Sequence, residues 1–333
     1  MADTRNALWS RIEAVTDDTF GETALAVYAY QRAHNPLYAE YLRLIGRYAT
    51  PPADWRAIPA LPIELFKTHR IQTGSWPPER EFTSSGTTGQ TPSRHAVRSL
   101  EAYLANARRG FARQYGPVEN YCILALLPAY LERQGSSLVA MADDFIQRSR
   151  YPESGFFLYD TEALLQRLAA CREAKIPTLL IGVSFALLDL AEQYPTDLGA
   201  HVIVMETGGM KGRRKELTRT ELHGLLRPAF RQAVIHSEYG MTELLSQAYS
   251  PGDGLFYPSP TLRVRPRDLT DPLCVLPPGR SGALDLIDLA NLDTISFIAS
   301  EDIGVVYPDQ TFRVLGRRDA SAVRGCNLMV GDV

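Results

Sequence analysis

The sequence is poor in the residues that build stapled, metal-clustered or membrane-embedded proteins. Only four of its 333 residues are cysteine (Cys122, Cys171, Cys274 and Cys326), they lie far apart, and no CxxC pair occurs. Neither a zinc site nor a disulfide framework is expected from them. No charge of one sign dominates, since 35 Lys and Arg against 38 Asp and Glu leave a formal net charge of −3. A chain so balanced projects no basic field toward nucleic acid or an anionic membrane, and neither is expected as a partner. Long hydrophobic runs are also missing: the longest, residues 176–188, is interrupted by Gly182 and Ser184. It is too short to span a bilayer, so no integral membrane contact is expected. The opening residues lack the apolar stretch of a signal peptide, which makes the cytoplasm the expected location. The GxSxG of serine hydrolases and the GxxxxGK[ST] of P-loop proteins are absent as well. What remains, 45% hydrophobic and 22% charged residues, is the composition of a globular protein with a large core.

Against this background the stretch Phe82-Thr-Ser-Ser-Gly-Thr-Thr-Gly-Gln-Thr-Pro92 stands out, because almost every residue between its ends is hydroxylated or glycine. Glycine lets a backbone approach a ligand closely. Ser and Thr hydroxyls beside turn N–H groups form a concave donor surface suited to phosphate oxygens. The alternative for the stretch alone is a flexible polar loop.

Hydrophobic periodicity orders the rest. Helices are expected over 22–33 and 36–47, divided at Asn35-Pro36, with Tyr38 and Tyr41 facing the core. Four prolines between 51 and 62 then impose an extended connection. Beyond the glycine loop, helices at 99–114, 136–148, 161–174, 184–193 and 213–226 alternate with strands at 121–127, 155–159, 178–181, 201–205 and 233–236. Thr161 and Ser184 are the expected caps of their helices. Such alternation predicts βαβ units and a mainly parallel sheet flanked by helices, an α/β fold whose ligands bind beyond the carboxyl ends of the strands. After Pro251 the pattern turns to short alternating segments at 261–264, 283–287, 295–298 and 312–315, a small β-rich lobe. The expected organisation is a helical segment at 1–57, an α/β core at 58–255, and a β-rich lobe with a tail carrying Cys326 at 256–333.

Four downstream stretches follow the glycine loop in a telling order: Glu238-Tyr-Gly-Met-Thr-Glu243, Ser300-Glu-Asp-Ile-Gly304, Gly316-Arg-Arg-Asp319 and Arg324-Gly-Cys326. Together with the loop they resemble the adenylate-forming, acyl-CoA synthetase-like superfamily. Leu61-Pro-Ile-Glu-Leu-Phe-Lys67, Leu126-Leu-Pro-Ala-Tyr130, Gly135-Ser-Ser137, Glu206-Thr-Gly-Gly-Met-Lys-Gly212 and Ser237 to Ser246 are similar to the LuxE-type acyl-protein synthetases. The resemblance runs from about residue 58 to the C-terminus.

It implies the N-terminal-domain type of the adenylate-forming fold without the C-terminal lid, and ATP-dependent activation of a carboxylic acid, specifically a fatty acid. Thr83, Ser84, Ser85, Gly86, Thr87 and Thr88 are then the phosphate contacts, and Glu243 a ligand for Mg²⁺, a hard cation that prefers oxygen. Thr242 would contact the α-phosphate and Tyr239, with Gly240, would stack on adenine. Gly208 and Gly209 would form the opposite wall, Asp302 would accept from the ribose, and Arg317 would add a ribose or phosphate contact. A cation on the transferring phosphate would come from Lys211 or Lys67. Cys326 corresponds to the cysteine that accepts the acyl group, with Arg324 nearby to lower its pKa. The implied partner is an acyl-reductase or other acyl-acceptor protein. Three alternatives stand beside this reading. They are direct transfer to CoA or another small acceptor, a non-catalytic scaffold, and an acyl hydrolase built on Gly135-Ser-Ser137, which the missing GxSxG disfavours. His236, at a strand end, and Cys122 and Cys171, within apolar patterns, read as structural.

Overall fold

The structure of the protein, a computed structural model, describes residues 2–84, 91–127, 135–208 and 217–318. Helices α1 (Ala2–Glu13), α2 (Phe20–His34) and α3 (Pro36–Leu44) open the chain. Asn35 divides the last two: its backbone is extended and its side chain accepts from the Tyr38 N–H at 3.0 Å. Pro36 follows in the first turn, where a missing N–H costs nothing. Tyr28 and Tyr38 meet edge to face at 6.1 Å, and both pack against Phe297.

A short strand β1 (Leu61–Pro62) and helix α4 (Leu65–Thr68) lead to the hairpin β2 (Arg80–Thr83) and β3 (Arg94–Val97), which brackets the glycine loop. Then come α5 (Leu100–Tyr115), β4 (Cys122–Leu126), α6 (Ser137–Arg148), β5 (Gly155–Phe156), α7 (Thr161–Glu173), β6 (Thr178–Val183), α8 (Ser184–Gln193), β7 (Val202–Thr207), α9 (Arg219–Phe230) and β8 (His236–Tyr239). The antiparallel edge strands β9 (Ala248–Ser250) and β10 (Tyr257–Pro258) complete a seven-stranded sheet in the order β10-β9-β8-β7-β6-β4-β5. The five strands from β4 to β8 are all parallel, as the alternation predicts. Helices cover both faces, so β4 and β6 are buried from end to end and read as continuous apolar runs.

Side-chain caps set most helix starts: Ser99 for α5, Ser136 for α6, Asp160 for α7, and a capping box of Thr218 with Glu221 for α9. Three starts differ from expectation. Helix α9, expected over 213–226, runs from Arg219 to Phe230 behind its Thr218 cap. Asp160 rather than Thr161 caps α7, and α8 follows Val183 without a side-chain cap, because the Ser184 hydroxyl bonds elsewhere. Cys122 and Cys171 are buried in this half, their sulfurs 3.7 Å apart, as the apolar pattern around them requires.

The second sheet contains β11 (Leu262–Arg267), β12 (Ser281–Asp288), β13 (Phe297–Val306) and β14 (Phe312–Arg317), antiparallel throughout, with β1 added parallel to β13. The N-terminal helices share one apolar cluster with it. Asp285 on β12 accepts from Arg265 at 3.0 Å and Arg267 at 2.8 Å on the neighbouring β11, all three being buried. Among the described residues no helix is long and apolar enough to cross a membrane.

Candidate functional site

The carboxyl ends of β6, β7 and β8 lie side by side, with Glu206 opposite Ser237 and Thr207 opposite Glu238. Gly208, at φ +69°, turns the chain away after β7, in the left-handed region that glycine enters freely. The Ser184 hydroxyl at the end of β6 donates to the Gly208 carbonyl at 2.8 Å and so ties two strand ends together.

Two carboxyls on these ends are driven in opposite directions. Glu206, 3% exposed, lies 3.0 Å from Arg219 Nε and 3.5 Å from His223 Nε2. Burial alone would raise its pKa, but His223, Arg219 and Ser237 together hold it below the usual carboxylate range. Glu238, 7% exposed, accepts from the Thr207 hydroxyl at 2.5 Å. Burial pushes it up to about 7, against that hydrogen bond and with help from the Glu206 charge. The two neighbouring carboxyls thus stand in opposite electrostatic environments, one paired with cations and one with a single neutral donor. A Cβ at Gly240 would meet Glu238 Oε1, the end of that side chain.

Tyr239 packs its ring against Phe256 and Phe312, at 5.7 and 5.4 Å, which stack on each other at 5.3 Å, and its hydroxyl donates to Asp302 Oδ2 at 2.7 Å. Asp302 on β13 stands opposite Arg317 on β14, whose Nε is 3.8 Å from Oδ1. Burial raises the Asp302 carboxyl above its ordinary value, against the Tyr239 bond and the Arg317 charge. Three residues singled out from separate motifs thus meet at one point.

The loop after β8 is held from several sides. The Thr242 carbonyl lies 2.8 Å from His95 Nδ1, and His95 Nε2 lies 3.0 Å from the Thr294 hydroxyl. Burial lowers His95 to about 4, so the ring is neutral. A carbonyl only accepts, so Nδ1–H donates to it and Nε2 accepts from Thr294. Because His95 belongs to β3, the hairpin whose other strand ends at Thr83 also positions Thr242. Asn291 Nδ2 donates to the Glu243 carbonyl at 2.8 Å. The Glu243 carboxylate, 7% exposed, accepts no hydrogen bond among the described residues. Asp288 receives the N–H groups of Leu245 and Ser246 at 2.7 and 2.9 Å, and burial pushes it up to about 6. Asn106 donates to the Leu245 carbonyl at 2.8 Å. None of these anchors was singled out from the sequence. Only Asp288 left a trace, as a charge closing the apolar strand Leu-Asp-Leu-Ile-Asp.

At the neck of the hairpin, the Thr83 N–H donates to the Gly135 carbonyl at 2.7 Å, and the Ser84 hydroxyl accepts from the Ser93 N–H at 2.9 Å. Ser85, Gly86, Thr87, Thr88, Gly209, Lys211 and Cys326 lie outside the described residues. Lys67 is exposed on α4. His236 turns inward to the Tyr115 hydroxyl at 3.1 Å and is lowered by burial to about 4. Among the described residues no group of three or more His, Cys, Asp and Glu side chains is arranged to hold a metal.

No family model matches the sequence, and no curated protein does. Solved structures match the fold. ATP-bound MatB from Rhodopseudomonas palustris superposes with a TM-score of 0.51 at 19% identity, covering 71% of this chain and 47% of that one. An ATP-bound RpMatB-BxBclM chimera gives 0.53 at 17% identity, with the same coverage of 71% and 47%. A malonyl-CoA ligase, in a ternary product complex with methylmalonyl-CoA and AMP, gives 0.51 at 19% identity over 72% of this chain and 53% of that one. The chain spans about half the length of these proteins. Its fold is that of the N-terminal domain of adenylate-forming enzymes.

Proposed function

We propose that the protein activates a carboxylic acid, a fatty acid in the leading reading, with ATP and Mg²⁺, in the manner of LuxE-type acyl-protein synthetases. The observation that carries this is the meeting of Tyr239, Asp302 and Arg317 beside the strand ends where Gly208 and Glu238 stand. In this reading the core at 58–255 holds phosphates and adenine, and the lobe at 256–333 supplies the ribose contacts. Adenine lies between Tyr239 and the Gly208-Gly209 wall, with Gly240 leaving room. Asp302 gives Tyr239 one oxygen and keeps the other for a ribose hydroxyl, with Arg317 beside it. Thr83, Ser84, Ser85, Gly86, Thr87 and Thr88 take the phosphates, and Thr242 the α-phosphate. The buried Glu243 carboxylate, lacking a described partner, fits Mg²⁺, which supplies positive charge against the leaving phosphates.

The acid's carboxylate oxygen attacks the α-phosphorus, the bond to the β-phosphate breaks, and pyrophosphate leaves an acyl-adenylate. Lys211 provides the cation for that transfer. The Cys326 sulfur then loses its proton and attacks the acyl carbon, AMP departs, and the thioester passes to an acyl-reductase or other acceptor protein. The bound ATP of MatB and the AMP in the ligase complex support a nucleotide in this fold, and the ligase's methylmalonyl-CoA favours a second reading, direct transfer to CoA.

Carboxylate-dependent exchange of labelled pyrophosphate into ATP tests the first half. Its absence across a broad acid panel would leave a scaffold and overturn the proposal. For the second half, ATP and labelled acid are expected to leave a hydroxylamine-sensitive acyl group that Cys326→Ser abolishes while exchange persists. A label retained in that variant rules out Cys326, and acyl-CoA formed without any label favours the CoA reading.

A further inference from the structure

A second crevice opens between α9, the start of β8 and β14, with a volume of about 400 Å³, within the range of small-ligand sites. Its basic character is written into the helix. Arg219, His223 and Arg227 recur every fourth residue, so one face of α9 carries all three. Arg313 of β14 stands at the same crevice. Asp253 is the one carboxylate residue lining it among the described residues, and Arg313 donates to the Asp253 backbone carbonyl. Glu206 neutralises Arg219. Arg227 donates to the His223 carbonyl at 3.3 Å, and among the described residues neither Arg227 nor Arg313 has a carboxylate within ion-pair distance. Guanidinium groups collected around one hollow repel each other, and a bound anion relieves that repulsion. The same hollow is lined by Val234 and Leu315, large apolar side chains left 42% and 59% exposed.

We infer that this crevice binds an organic phosphate, its phosphate on Arg227 and Arg313 and its apolar body against Val234 and Leu315. The planar forks of two arginines suit phosphate oxygens better than point charges do. None of Thr83, Ser84, Gly208, Tyr239, Gly240, Thr242, Glu243, Asp302 and Arg317, the described residues of the proposed nucleotide site, lines the crevice. Arg219 joins the two, lining the crevice while it neutralises Glu206 beside Thr207 and Gly208.

Calorimetric titration of the full chain with phenyl phosphate, and separately with inorganic phosphate, tests the inference whether or not the protein forms adenylates. Saturable one-to-one binding of phenyl phosphate is expected, tighter than that of inorganic phosphate and undiminished by excess ATP. The Arg227→Ala/Arg313→Ala variant is expected to lose at least about tenfold in affinity, the scale of one charge-assisted hydrogen bond. Val234→Asp, at a solvent-exposed position, is expected to abolish binding independently by placing a carboxylate in the hollow. No saturable binding, unchanged affinity in either variant, or full displacement by ATP would each overturn the inference.

Discussion

Charge is distributed differently in the two sheets. In the parallel sheet β4 and β6 are buried and almost wholly apolar along their length, and carboxyls appear only at strand ends, as Glu206 and Glu238. In the antiparallel sheet the charges stand inside the strands: Arg263, Arg265 and Arg267 alternate along β11, and two of them face Asp285 on β12. All of these groups are buried, so burial does not separate the two cases. Saturation does. Both oxygens of Asp285 are taken by guanidinium groups, whereas Glu238 has a single neutral donor on one oxygen. A satisfied interior charge holds a shape, and a half-satisfied one at a strand end is available to a ligand.

The sharpest test of that contrast is Asp285→Ala. It strands two buried arginines without a counter-ion, which is expected to cost about 3–5 kcal/mol in urea denaturation. A cost below about 1 kcal/mol would mean that water reaches the pair and that the two sheets are alike. Next is Glu243→Gln, expected to slow pyrophosphate exchange roughly a hundredfold, about 3 kcal/mol in the barrier, with little change in melting temperature. Early melting with normal exchange would move Glu243 to the structural side.

Glu238 predicts a pH signature. Its pKa in the folded state, about 7, lies above the ordinary 4.5, so its contribution to stability is complete below about 4.5 and is lost as pH rises through about 7. At about 1.4 kcal/mol per pH unit the loss is at most about 3.5 kcal/mol. Glu238→Gln should flatten stability between those limits, and an unchanged slope would show that another group titrates there. The smallest expected effect is that of Tyr239→Phe. Removing the hydroxyl from Asp302 should cost about 1 kcal/mol of stability. In the proposed reaction it should also raise the KM for ATP more than it lowers kcat, because it loosens a ribose contact without touching the phosphates.

The sequence disclosed the parts of this protein whose signals are local. Alternation of helix and strand from residue 99 to 239 emerges with the expected elements, because each burial pattern repeats within a few residues. The end of β8 was expected at His236 but runs to Tyr239, so Ser237, Glu238 and Tyr239 form the strand end itself. Periodicity could not find that boundary, since Ala233 and Val234, apolar like strand residues, are exposed before the strand. The β2–β3 hairpin around the glycine loop leaves no periodic signal, because its strands have four residues each and begin with arginine. Ser184 has the residue type of a cap, yet its hydroxyl finds Gly208 just beyond the neighbouring strand β7, a partner that only the pairing of β6 with β7 supplies. The anchors of the 240–246 loop were invisible for the same reason. His95, Asn106, Asp288 and Asn291 come from three distant parts of the chain, and nothing near any of them announces the contact.

The two interior sulfurs give the fold a clock. Cys274, exposed in the connection between β11 and β12, meets an aqueous alkylating reagent at once, whereas Cys122 and Cys171 meet it only when the parallel half opens. An added group on either sulfur leaves no space for the other at 3.7 Å, so a molecule that has opened and reacted cannot close again. The slow labelling of Cys122 and Cys171 therefore counts openings of the parallel half, and any ligand bound at its strand ends should stretch the interval between them.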